Sequence, residues 1–268
     1  MGSLEFLYKT VLGRVLLRPL VSRPVSAFSG TLMDARWSKI LIRPFVKKNG
    51  INTDDYLLSN VKSFNDFFCR RIKDGRRPVD MAASSLISPC DGLLSAYKID
   101  GEGTVLNVKQ STFNIDSLLR DRELARRFDG GYALVYRLCV DHYHRYIWFD
   151  SGHKLEDRHI QGVYHTVRPV ALYERPVFIE NTRDYSVIDT ANFGRCVQME
   201  VGAMLVGRIV NEKPLPGRVK RGEEKGHFEY GGSTIIVLVP QGVAELRGDL
   251  TGGEETPVKM GEQIGSAI

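Results

Sequence analysis

The 268-residue sequence predicts an α+β fold: N-terminal helices followed by a compact, mainly antiparallel β body of half-barrel or sandwich type. A change of texture carries this reading. Up to about residue 72, apolar residues recur at helical spacing beside basic ones. From about residue 86, short apolar runs alternate with Gly, Asp and Pro: "YALVYRLCV" (132–140), "RYIWF" (145–149), "CVQMEV" (196–201) and "STIIVLV" (233–239). That is the pattern of short strands separated by regular turns. With 43% apolar and 26% charged residues, the chain is ordinary for a globular protein and long enough to bury a substantial core.

Residues 4–20 read as one helix, with Leu4, Leu7, Tyr8, Val11 and Val15 on one side and Pro19 and Pro24 ending it. A second helical pattern covers about 32–43, with Leu32, Trp37, Ile40 and Leu41 as its apolar residues. A third, "SFNDFFCRRI" at 63–72, opens on Ser63 as N-cap. Residues 1–50 carry nine Lys or Arg against Glu5 and Asp34, a net +7, while the remaining 218 residues sum to −2. A basic end on a near-neutral body suits an anionic surface. On pattern alone, a segment lying on a membrane and helices packed on the core with a solvated basic rim fit equally. No run of 18 apolar residues predicts a transmembrane helix. Arg14 and Arg18 interrupt any signal-peptide reading, and Phe6 stands where a myristoylation motif wants Ser or Thr.

Cys69, Cys90, Cys139 and Cys196 form no C-x-x-C pair, which argues against a zinc knuckle or redox dithiol and for reduced thiols in a cytosolic compartment. "VKRGEEKG" (219–226) and "VKMGEQIG" (258–265) share V-K-x-G-E-x-x-G, 39 residues apart. Such an echo fits two similar hairpin corners in a folded-over β-sandwich.

Three clusters carry candidate chemistry. In "SPCDG" (88–92), Asp91 sits in a turn between Pro89 and Gly92, where its simplest role is bonding its own backbone. "DHYHRYIWFDSGH" (141–153) holds half of the six histidines. On a strand, His142 and His144 share one face, as metal ligands or with one as a general base. In "YGGSTIIVLVP" (230–240), Ser233 lies between a flexible glycine pair and a rigid strand. Asp91, His144 and Ser233 can converge as an Asp–His–Ser triad, since that geometry recurs in several chain orders. No G-x-S-x-G elbow supports an α/β-hydrolase. Two other classes compete: a zinc hydrolase on the His142/His144 pair, and a non-enzymatic membrane-binding β domain. No recognised motif accompanies the basic segment to suggest nucleic acid.

At these clusters the sequence resembles the phosphatidylserine decarboxylases. "SFNDFFCRRIKDGRRPVD" (63–80), "SPCDG" (88–92), "HYHRY" (142–146), "VGAMLVGRI" (201–209) and "KRGEEKGHFEYGGST" (220–234) match blocks of that family in order, and the last is highly specific. The resemblance implies a proenzyme that cuts itself between Gly232 and Ser233, into a long chain 1–232 and a short chain 233–268. Ser233 then becomes a pyruvoyl group, with no metal and no pyridoxal phosphate. That group takes the amine of phosphatidylserine as a Schiff base, and the products are phosphatidylethanolamine and CO2. A decarboxylase of a related serine-headgroup lipid fits the same blocks.

The family's self-cleavage triad matches Asp91 and Ser233. Many members carry Asp-Tyr-His-Arg-x-His, whose second histidine is the self-cleavage base and whose first helps decarboxylation. Here His144 matches the first, Ile147 occupies the second, and His142 replaces the aspartate. His144 is expected to serve decarboxylation, and the base falls to His144, His142 or His165 in "YHTVRP". The 36-residue short chain is too small to fold alone, so a noncovalent heterodimer is expected. Residues 1–60 are expected to be a basic, membrane-associating helical segment and 61–268 the catalytic β-rich domain. The expected location is peripheral, on the cytoplasmic face of the cell membrane.

Overall fold

A computed structural model describes residues 2–101, 104–108, 111–204, 208–212, 215–231, 233–251 and 253–268, with backbone alone at 104–108, 111 and 112. Four helices lead the chain: α1 (Ser3–Lys9), α2 (Val11–Leu20), α3 (Arg23–Asp34) and α4 (Ile42–Asn49), with a 3-10 turn at Arg36–Leu41. The helix predicted over 4–20 therefore breaks at Thr10. Thr10 leaves the helical region (φ −106°, ψ 153°), and its hydroxyl accepts from the Gly13 amide at 2.9 Å, capping α2. Gly13 makes the corner possible, because a Cβ there would collide with the Phe6 carbonyl. The pattern read at 32–43 straddles the end of α3, the 3-10 turn and the start of α4.

These helices are not an appendage. Tyr8 is 1% exposed, with its hydroxyl 3.1 Å from His165 Nδ1 and accepting from the Thr166 amide. The Ser38 hydroxyl accepts from the Phe64 amide at 2.8 Å, where α5 (Phe64–Phe68) begins. Ser63 caps α5 as predicted, in a reciprocal box with Asp66. The other face is bare: Val11, Leu12, Val15, Leu16, Phe28, Trp37 and Ile40 are each at least half exposed. The segment is thus packed on one side, as the second of the two sequence readings expects, and apolar toward solvent on the other.

After a two-residue ladder between β1 (Tyr56–Leu57) and β2 (Arg71–Ile72) comes the β body. Its strands are β3 (Ser85–Ile87), β4 (Gly92–Lys98), β5 (Thr104–Val108), β6 (Ser111–Asn114), β7 (Tyr132–Leu138), β8 (Arg145–Ile147), β9 (Gly152–Ile160), β10 (Arg183–Thr190), β11 (Arg195–Gly202), β12 (Ile209–Asn211), β13 (Gly217–Val219), β14 (Glu224–Phe228), β15 (Ser233–Val239), β16 (Ala244–Leu246), β17 (Thr256–Val258) and β18 (Gln263–Ala267). Short helices α6 (Ile115–Leu119), α7 (Arg122–Arg126), α8 (Pro169–Leu172) and α9 (Val177–Glu180) fill the connections.

The central antiparallel sheet runs β13-β9-β10-β11-β15-β7-β4-β17, flanked by β12-β14-β8 and β16-β18-β3. These orders describe a pseudo-dyad between β11 and β15. The half β3-β4-β7 with β15-β16-β17-β18 matches the half β8 to β11 with β12-β13-β14. Val258 pairs with Gly92 in one half as Val219 pairs with Gly152 in the other. The repeated V-K-x-G-E-x-x-G supplies the equivalent corners: Gly222 (φ 79°) and Gly261 (φ 84°) turn the chain, and Glu223 and Glu262 accept from the amides of Lys220 and Lys259. Both corners close on Val79.

The dyad gives β15 a particular position. In one half, β10 and β11 are joined by a tight hairpin at 191–194, with Gly194 at φ 68°. In the other, the equivalent partners β7 and β15 pair over Ser233↔Leu138 to Val239↔Tyr132, yet the whole opposite half intervenes between them in sequence. Ser233 therefore begins a central strand at a chain junction instead of a hairpin. Every residue of β15 is buried, which explains its unbroken apolar run where an edge strand would alternate.

Candidate active site

Ser233 is paired on both sides, with Gly202 of β11 and Leu138 of β7. It is fully buried, and its hydroxyl has no hydrogen-bond partner among the described residues. A buried hydroxyl left unpaired costs about 1–3 kcal/mol, which makes Ser233 Oγ a candidate reactive group. Gly232, the other side of the expected cleavage point, lies outside the described residues.

His142 and His144 are not on a strand. Residues 141–144 form a turn and β8 starts at Arg145, so the shared strand face expected from their spacing does not exist. The turn is instead held by hydrogen bonds. The His142 carbonyl accepts from His144 Nδ1 at 2.9 Å and from Arg70 Nη2 at 3.3 Å. Arg70, 2% exposed, also bonds the Asp141 carbonyl and lies 4.2 Å from the centre of the Tyr56 ring.

A carbonyl oxygen only accepts, so the neutral His144 ring carries its proton on Nδ1 and a lone pair on Nε2. That Nε2 is buried and without a partner among the described residues. Burial, then the Arg70 charge, holds the His144 pKa well below 6.5, so the ring is neutral at physiological pH. His142 has the opposite arrangement. Its Nδ1 accepts from the Cys139 amide at 3.1 Å, leaving the proton on Nε2. Burial lowers its pKa, against the carboxylates of Asp141 and Asp91.

The junction and His144 are brought together by aromatic packing. The Phe68 ring lies 4.0 Å from the His144 ring and 5.3 Å, edge-on, from Tyr230, three residues before Ser233. The Phe228 amide donates to the His144 carbonyl at 2.9 Å. Beside the junction opens a cavity of about 530 Å³ bordered by Leu138, Tyr230, Gly231, Arg137 and Arg168.

Asp91 does not bond a histidine. Its carboxylate is gripped by Arg77 at 2.8 and 2.6 Å and accepts from the Met260 amide at 2.9 Å. The imidazole that feels its charge is His142. His165 is directed elsewhere: Nδ1 meets Tyr8, and Nε2 lies 3.2 Å from Glu180, in a different cavity. Among the described residues, no cluster of potential metal ligands holds His142 and His144 together. The potential donors within reach of one another around His142 are Cys139 and Asp141.

Sequence reasoning missed Arg77, Phe68, Arg70 and Tyr230 as parts of this site, although the first three lie within the quoted 63–80 block. It also missed a buried pair beneath it: Lys225 Nζ lies 2.6 Å from Glu200 Oε2, both essentially inaccessible. Burial pushes Glu200 up to about 7, against the pull of Lys225. By register Glu200 faces Ile235, one pleat from the Ser233–Gly202 pair and on the same side of the sheet.

The family profile described as phosphatidylserine decarboxylase matches residues 64–266. Curated relatives align over almost the whole chain. "Phosphatidylserine decarboxylase proenzyme 2" of Clostridium acetobutylicum is 40% identical over 98% of this chain and 91% of its own length. A "phosphatidylserine decarboxylase proenzyme" of Ruminiclostridium cellulolyticum is 39% identical over 99% and 91%, and one of Clostridium kluyveri 38% over 98% and 91%. With both the β body and the leading helices shared at this level, the chain belongs to the phosphatidylserine decarboxylase family.

Proposed function

We propose that this protein is a self-processing, pyruvoyl-dependent phosphatidylserine decarboxylase in which His144 is the base of self-cleavage. The observation that carries the proposal is that Ser233 Oγ and His144 Nε2, linked through the packed rings of Phe68 and Tyr230, are both buried and without a hydrogen-bond partner among the described residues. His144 Nε2 takes the hydroxyl proton, and Ser233 Oγ attacks the carbonyl carbon of Gly232. The C–N bond breaks as the C–O bond forms, leaving an ester and a free amine. Loss of the Ser233 α-proton expels the Gly232 carboxylate and leaves dehydroalanine. Its imine tautomer takes up water, releases ammonia and becomes the pyruvoyl end of the short chain.

The unpaired hydroxyl fits this conversion, because its oxygen leaves with the Gly232 carboxylate and Cβ becomes the pyruvoyl methyl, so that no side-chain hydrogen bond to a described residue is lost. The pyruvoyl carbonyl supplies an electron sink for the pair left by departing CO2. The chain's own residues do the rest. Arg70 and the His142 carbonyl fix the His144 ring, and Phe68 and Tyr230 wall it from water. Asp91, clamped by Arg77, keeps a negative charge beside His142. The cavity next to Tyr230 and Gly231 suits the headgroup, with Arg168 free of ion pairs among the described residues to meet its phosphate. Strand pairing supports a noncovalent heterodimer: the short chain contributes β15 between β11 and β7, β17 against β4 and β18 against β3.

A peripheral position on the cytoplasmic face of the cell membrane is supported by the exposed apolar residues of α2, α3 and the 3-10 turn beside the basic N-terminal segment. No helix among the described residues is long and apolar enough to cross a membrane. Intact-mass measurement under denaturing conditions tests the main proposal. It should find two chains, the short one starting at a blocked residue 233, and one inactive chain for Ser233→Ala. Active protein made of a single uncut chain would refute it.

A further inference from the structure

A second cavity, of about 710 Å³, lies on the far side of the Tyr8–His165 contact. It shares no lining residue with the cavity at the junction. Four arginines border it: Arg14 and Arg18 from α2, Arg120 at the end of α6, and Arg175 before α9. Among the described residues Glu180 is its one carboxylate, already 3.2 Å from His165 Nε2 and 3.8 Å from Arg175. Arg14, Arg18 and Arg120 have no ion pair among the described residues. Behind them is Arg183, wholly buried and bonded to the carbonyls of Ser117, Leu118, Ile179 and Asn181. Arg120 lies close enough to Arg183 to oppose its charge. A mouth with this excess of cations over carboxylates among the described residues suits an anion, and planar guanidinium groups match phosphate oxygens two at a time.

The rim shows where that anion comes from. Val11 and Val15 border the cavity on α2 and are 73% and 56% exposed, next to Leu12 and Leu16 at 63% and 50%. A phosphate in water has no use for such a rim, whereas a lipid presents phosphate and acyl chain together. We infer that this cavity is a second, non-catalytic lipid site, which binds the phosphodiester headgroup of one anionic glycerophospholipid and anchors α2 in the bilayer. The inference rests on the membrane-facing reading of the N-terminal helices. It differs from diffuse basic attraction because it requires Arg120 and Arg175, which lie outside that basic segment.

Flotation with phosphatidylcholine vesicles, with and without phosphatidylglycerol, tests it on the full-length protein. Phosphatidylglycerol has no amine and is not turned over. Arg14→Gln/Arg120→Asn, in which Asn tolerates the left-handed φ of 50° at position 120, should lower partitioning onto phosphatidylglycerol vesicles by about fivefold per arginine. Arg36→Gln/Lys39→Gln removes the same charge away from the cavity and should cost clearly less. Self-cleavage, read by mass, should be intact in both as a check on folding. Native mass spectrometry with dihexanoyl phosphatidylglycerol should retain one lipid on the wild type and none on the cavity variant.

Equal losses in the two double variants would overturn the headgroup site while leaving membrane attachment standing. Wild-type protein that floats with neither vesicle would remove both. Glycerol 3-phosphate binding as tightly as the short-chain lipid would assign the cavity to a soluble anion and refute the lipid site.

Discussion

Nδ1 of His144 donates to the main-chain carbonyl of His142 at 2.9 Å, and this bond decides which imidazole can act as a base. It leaves His144 Nε2 as a buried lone pair, while His142 spends its own lone pair on the Cys139 amide. With His144 as the proposed base, the isoleucine at 147 calls for no replacement from elsewhere. His144→Ala should accumulate as uncut chain, with cleavage slowed by about 100-fold or more, the usual worth of a positioned general base. His142→Ala should still cleave, within about tenfold of wild type. Intact-mass time courses after synthesis read both, and the reverse ranking would transfer the role to His142.

The same environment predicts a pH profile. Burial and the Arg70 charge disfavour protonated His144, so its pKa lies well below 6.5. Lowering the pH from about 8 to 6.5 leaves Nε2 unprotonated, and protonation stops the reaction only well below 6.5. Cleavage rates should be flat across that upper range and fall on the acid side. Half of the rate lost near 6.5 would indicate an exposed imidazole as the base. Arg70→Met removes one cause of the depression and should move the acid limb toward neutrality.

Much of this was legible in the sequence, and the illegible part has a common cause. The helix-then-strand order, the Ser63 cap and the paired corners around Gly222 and Gly261 are local, set by residues a few positions apart. The break at Thr10 was hidden because it depends on Gly13 meeting the Phe6 carbonyl across a corner. The turn at 141–144 was misread as strand because its cause, Arg70 reaching the carbonyls of 141 and 142, lies about 70 residues away. Asp91 meets the Met260 amide 169 residues on. Hydrophobic periodicity reports which face is buried and says nothing of which distant polar group will be there.

The buried Lys225–Glu200 pair should prove costly to break and cheap to remove. Each charge gave up water and is compensated chiefly by the other, with Asn211 close to both. Lys225→Met strands Glu200 and should destabilise by about 3–5 kcal/mol, whereas Lys225→Met/Glu200→Leu should regain most of that. Denaturant unfolding in the Ser233→Ala background keeps the system to one chain. A double variant as unstable as the single would mean that the pair itself supplies the stability.

His227 should make the protein acid-labile. Burial, reinforced by Arg145, Arg71 and Arg208, pushes its pKa down to about 4, while the unfolded chain titrates near 6.5. Between those values the unfolded state binds more protons than the folded one, so stability rises with pH in that window and falls as pH drops through it. The full difference corresponds to roughly 3 kcal/mol as an upper figure, lost between pH 6.5 and about 4. His227→Gln keeps the size and polarity of the side chain but cannot take up the proton. Its unfolding free energy, followed in the uncut Ser233→Ala protein, should decline less steeply with acid than that of the parent. Identical slopes would assign the acid sensitivity to other groups.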